Sequence, residues 1–98
     1  MNFAEHQTAD RRLVILRGLA ECAAYRANNL LLQRYCDAVG HVVSSDRLAQ
    51  DLAWLGEQGL LTSVAERNIT TVTLTVRGLD VSTGRAEVPG VQKPQPGA

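Results

Sequence analysis

NNLLLQRYCDAVGHVVSSDRLAQDLAWLGEQGLL, residues 28–61, is the stretch that decides the fold. Asn28 or Asn29 can cap a helix that ends at Gly40, because glycine takes the left-handed backbone of a helix C-terminus without strain. Ser44 or Ser45 can cap a second helix, about 46–58, that stops at Gly59. Within it Leu48, Leu52 and Leu55 recur at helical spacing as one apolar stripe. Past Gly59 the period changes to two. Residues 60–64 and 69–76 are rich in Thr, Val and Ile, with Ala65-Glu66-Arg67-Asn68 between them as a hairpin tip. Two short helices, a glycine-containing turn and an alternating hairpin make the pattern of a winged helix-turn-helix.

Toward the N-terminus, Thr8 or Asp10 caps a first helix running to about residue 24. Its stripe of Leu13, Leu16, Ala20 and Ala23 is widened by Val14, Ile15 and Leu19. A helix so apolar is either sandwiched in a core or half of a dimer seam. Gly18 inside it implies close packing against a neighbour. The helix over 30–39 packs through Leu31, Leu32, Tyr35, Cys36 and Val39, and the short His41-Val42-Val43, with its two β-branched valines, is expected to form a small third strand. In the hairpin, Val72, Leu74 and Val76 should face the core, and Thr71, Thr73 and Thr75 the water.

Toward the C-terminus, Thr75 caps a last helix, 76–83, with Leu79 turned inward. From Gly84 on, GRAEVPGVQKPQPGA holds all three prolines and too little apolar surface to fold alone. It is expected to be extended, with Val88 and Val91 able to dock back against the domain and no fixed contacts from about residue 91. The expected architecture is α+β: a flexible arm (1–8), a winged-helix domain (9–84) of three helices, hairpin wing and short C-terminal helix, and a loose tail (85–98).

Ninety-eight residues with 45% apolar content close one small core. Ten basic and ten acidic side chains cancel, and no basic run exists, so any DNA-facing patch must be assembled by folding. No apolar run exceeds four residues, which excludes a membrane-spanning helix. MNFAEHQTADRR lacks the apolar segment of a signal peptide, so a cytoplasmic location is expected. Cys22 and Cys36 fit reduced, packed thiols better than a disulfide framework.

The candidate recognition helix presents Arg47, Gln50, Asp51, Trp54 and Gln58 outside its leucine stripe. Arg pairs bidentately with guanine and Gln with adenine in the major groove, so Arg47 and Gln50 are the base-reading candidates. Asp51 would repel phosphate or orient Arg47. Trp54, one position off the stripe, is expected at the edge of the core, with stacking on a partner as the other role. Arg67 and Asn68 at the tip are placed to reach a minor groove or phosphates. Cys22, Cys36, His6 and His41 lack the spacing of a metal site, and no arrangement of Ser, His and acid or of phosphate-binding glycines points to catalysis. No metal, cofactor or enzymatic activity is expected.

Three strings carry a resemblance. They are Asp10-Arg11-Arg12-Leu13-Val14-Ile15-Leu16-Arg17, then Asp51-Leu52-Ala53-Trp54-Leu55 with Gln58-Gly59-Leu60, and Arg77-Gly78-Leu79-Asp80-Val81 followed by Val88-Pro89-Gly90-Val91. The chain resembles the small winged-helix proteins of Mu-like phages and prophages, often labelled arsenic-repressor-like regulators by fold. It departs from their pattern at Gly18, Gly56 and Gln92. The resemblance implies a phage origin and a fold; the fold with Arg47, Gln50 and Arg67 points to a cytoplasmic regulator of transcription with double-stranded DNA as partner, and the apolar excess of the first helix (Leu13, Val14, Ile15, Leu16, Leu19) to a homodimer through that helix. A protein-binding or assembly factor, with a phage or host protein as partner, is the alternative that zero net charge and Asp51 favour.

Overall fold

The computed structural model describes residues 2–96. Four helices and a three-stranded antiparallel sheet alternate in the order α1 (Phe3–Glu21), β1 (Arg26–Asn28), α2 (Asn29–Ala38), α3 (Ser45–Glu57), β2 (Leu61–Glu66), β3 (Ile69–Leu74) and α4 (Val76–Thr83). Side-chain caps set the helix starts where the sequence offered them. Asn28, Ser44 and Thr75 accept from the backbone N–H groups of Leu31, Arg47 and Gly78 at 2.8, 3.1 and 3.0 Å. Gly40, at φ 94°, ends α2 and turns the chain toward α3.

The sheet runs β1-β3-β2, with Ala27 opposite Val72 and Leu61 opposite Leu74. Val72 and Leu74 face the core with Ala27 and Leu61. The core joins Ile15, Leu16 and Leu19 of α1 to Leu32, Leu48, Leu55, Leu60, Val72 and Val81. Leu79 packs against it, half-buried.

Several expectations give way. The expected flexible arm is helical from Phe3, because Asn2 accepts from the backbone N–H of Glu5 at 2.9 Å and supplies a cap upstream of Thr8. The third strand is Arg26–Asn28, not His41-Val42-Val43. The latter segment is held by other bonds: the His41 N–H donates to the Cys36 carbonyl at 2.8 Å and the Val43 carbonyl accepts from Gln33 at 3.1 Å. Val76 opens α4 and is 79% exposed instead of facing the core.

The first helix is sandwiched. Leu13, Ile15, Leu16 and Leu19 are all buried by the chain's own α2, β3 and α4, so they cannot form a dimer seam. Nor is the tail loose up to residue 92. Val88 is buried, the Gln92 N–H donates to the Ala9 carbonyl at 3.0 Å, and Gly90 lies on the Trp54 ring. The sequence offered only two valines as anchors; the other contacts are backbone contacts, which composition does not encode. Gly97 and Ala98 lie outside the described residues.

Candidate functional site

At 100° per residue, α3 divides into distinct faces. Leu48, Asp51, Leu52 and Leu55 point inward and are buried. Asp46, Gln50, Ala53 and Glu57 make the outermost line, all exposed. Arg47, also exposed, stands beside Gln50 on the flank that leads to Trp54. On the opposite flank Ala49 and Ala53 line a groove shared with Asn29 and Gln33 of α2 and with Ser63 and Thr70 of the hairpin. Small side chains there let the hairpin approach the helix.

From Thr62 to Ile69 every residue is exposed, so the hairpin projects beyond the core. Its register places Glu66 opposite Ile69 and leaves a two-residue turn, Arg67-Asn68. Arg67 holds φ 57°, a conformation that costs a non-glycine side chain. Arg47 and Gln50 thus share one exposed helix surface, and Arg67 and Asn68 share the tip of the adjacent hairpin.

Two amide side chains fix this geometry: Gln33, which the sequence reading passed over, and Asn29, which it offered only as a cap. Gln33 donates to the Val43 carbonyl at 3.1 Å and accepts from the Ser45 hydroxyl at 3.2 Å, tying α2 to the start of α3. Asn29 accepts from the Thr70 N–H at 3.0 Å and ties α2 to the hairpin. One helix therefore positions both exposed elements. The only signal in the sequence was a pair of amide side chains one helical turn apart.

Asp51 does not belong to that surface, and Trp54 borders it half-buried. Asp51 is buried in an ion pair with Arg11, itself 5% exposed, and Arg12 stands 3.7 Å from its second oxygen. Arg12 also donates to the Gly90 carbonyl at 3.1 Å and stacks over the Trp54 ring, 3.7 Å from its centroid. Desolvation pulls the Arg12 pKa down, opposed by the nearby Asp51 carboxylate. Trp54 is half-buried beneath this guanidinium and Gly90, a packed position that the edge-of-core expectation anticipates and the stacking role does not. Asp51 neither faces phosphate nor orients Arg47, because α1 presents two arginines to it. The hint in the sequence was the consecutive pair Arg11-Arg12 inside an apolar helix.

Among the described residues no three His, Cys, Asp or Glu side chains converge as a metal set. His41 meets Asp10 at 2.6 Å and Cys22 donates to the Gly18 carbonyl at 3.3 Å. Burial pushes the Cys36 thiol up to about 11, which keeps it protonated and unreactive near neutrality.

No protein-family model matches the chain. It is 50% identical to gp26 of Escherichia phage Mu over 91 residues, 93% of this chain and 94% of gp26. It is 48% identical to a protein of Haemophilus influenzae over 62 residues, 63% of this chain and 60% of that protein. Among solved structures, RosR of H. salinarum superposes with a TM-score of 0.64 at 24% identity, over 74% of this chain and 64% of RosR. The complex hsRosR-S4 gives 0.61 at 22% identity, over 89% and 85% of the two chains. These likenesses establish the fold alone.

Proposed function

The chain belongs to the family of gp26 of Escherichia phage Mu, and we propose that it acts as a winged helix-turn-helix protein that binds double-stranded DNA and regulates transcription in the host cytoplasm. The observation that carries this reading is Arg47 and Gln50, exposed side by side on α3, next to a projecting hairpin tipped by Arg67 and Asn68. A helix of 13 residues seated in the major groove brings Gln50 to a base edge, with adenine as the matched partner. Arg47 contacts guanine or a phosphate, and Arg67 and Asn68 reach the neighbouring backbone or minor groove. The role is one of binding, without catalysis. The fold shared with RosR supports the architecture and not the ligand.

A second reading, a protein-binding or assembly factor on the same scaffold, is favoured by one observation. Asp46 and Glu57 stand on the outermost line of α3 with Gln50, and two carboxylates there repel phosphates.

Selection from a random duplex library separates the two readings. The wild type should enrich a defined motif, and Gln50→Ala should relax the preference at one base position, worth about 1–3 kcal/mol. Failure of the wild type to enrich any sequence would leave only the protein-binding reading.

A further inference from the structure

With the leucines of α1 buried, what remains outside along that helix is a separate stripe. Phe3, Gln7, Asp10, Val14, Arg17 and Glu21 follow one another at alternating four- and three-residue steps, the spacing of a narrow helix–helix seam. Phe3 is 76% exposed at one end, and Tyr25, just past the other end, is 44% exposed. Val14 and Arg17 are half-buried at its centre. On one side α2 closes in, with the Tyr35 ring against Gly18; on the other the tail is bonded to Ala9. Val14 packs in part against the core and His41 bonds Asp10, while Phe3, Gln7, Asp10 and Glu21 stay exposed along the stripe.

We propose that this stripe is the surface through which two copies of the chain associate, α1 against α1 in antiparallel orientation, with the two-fold axis at Val14. The charge pattern selects both the occupant and the register. With Val14 on the axis, Asp10 of each copy faces Arg17 of the other and Gln7 faces Glu21. Asp10 already holds His41 through Oδ2, and Oδ1 has no hydrogen-bond partner among the described residues. A parallel arrangement would set Asp10, Arg17 and Glu21 each against its own like charge. An antiparallel register shifted by about one turn would bury Asp10 against Val14 and Glu21 against Phe3, leaving carboxylates unpaired. An isologous interface must be self-complementary, and only the register centred on Val14 makes this one so. The association does not depend on DNA binding.

The test combines sedimentation equilibrium with a crosslink at the axis. The wild type should dimerise at micromolar concentration. Arg17→Asp and Asp10→Arg should each weaken the dimer by about tenfold or more, and the double exchange should restore it, with the thermal melt of each variant run as a fold control. Val14→Cys in a Cys22→Ala background should form a covalent dimer on mild oxidation, since a residue on a two-fold axis meets its own copy within the few ångströms a disulfide spans. A monomer at high micromolar concentration overturns the proposal. So does a dimer that ignores both charge reversals and whose Val14→Cys form does not crosslink.

Discussion

Gly90 is where the tail becomes part of the fold. A Cβ there would stand 2.9 Å from two carbons of the Trp54 ring and 3.0 Å from the Arg12 guanidinium, and the residue holds φ 98°. Gly90→Ala is therefore expected to lift the tail from Arg12 and Trp54, to shift Trp54 emission to the red as water reaches the ring, and to cost about 1–3 kcal/mol in urea denaturation. Emission and stability both equal to wild type would mean that the tail does not seat on this ring. Cys36 gives a prediction of a different kind. Burial raises its thiol from about 9 to about 11, so the folded state resists ionisation that the unfolded chain accepts. Its contribution is fully present below pH 9 and is lost as pH rises from 9 to 11, by about 2–3 kcal/mol over that window. Comparing stability against pH for the wild type and Cys36→Ala isolates this part. The slope between pH 9 and 11 should be shallower in the variant, and an unchanged slope would contradict the buried thiol.

At the scale of elements, the helix starts and the hairpin were readable because each is local. Asn28, Ser44 and Thr75 cap within three residues of themselves, and β-branched alternation marks the hairpin wherever it packs. What escaped the sequence was non-local. The strand Arg26–Asn28 is too short to show a period and exists because β3 offers it an edge; the partners of Arg11 and Gly90 lie 40 and 36 residues away along the chain. The exposed pair Arg47 and Gln50 followed from the leucine stripe alone, whereas Asp51 was misplaced, since a carboxylate beside that stripe looks solvated until Arg11 arrives. The link from α1 to β1 was illegible for a further reason: Ala24 and Tyr25 hold φ 57° and 55°, which neither residue favours. Relieving that strain should help. Ala24→Gly, at an exposed position, is expected to raise stability by about 0.5–1 kcal/mol in urea denaturation, and a loss instead would show that the link is not left-handed.

For the whole molecule, the structure separates the charges held inside the fold from those left exposed. The ten basic side chains are not equivalent: Arg11 and Arg12 serve Asp51, Trp54 and Gly90 inside the fold, and Lys93 meets Glu87 at 2.9 Å. Arg47 and Arg67 are the exposed arginines of α3 and the hairpin tip, so on the proposed DNA-binding reading this surface would neutralise few phosphates per copy. The net charge of zero supplies no long-range attraction to make up the difference. Binding should accordingly be modest and its salt dependence shallow. Each phosphate contact adds about 0.9 to the slope of log affinity against log salt, which puts a two-copy complex near −4. The direct measurement is a titration of duplex DNA from a phage intergenic region at several salt concentrations, with wild type, Arg67→Ala and Arg47→Ala. The account predicts binding by the wild type with that slope and a slope flattened by about two in Arg67→Ala with sequence preference unchanged. For Arg47→Ala it predicts weaker binding with relaxed preference. No binding by the wild type at low salt, or binding that neither substitution alters, would contradict it.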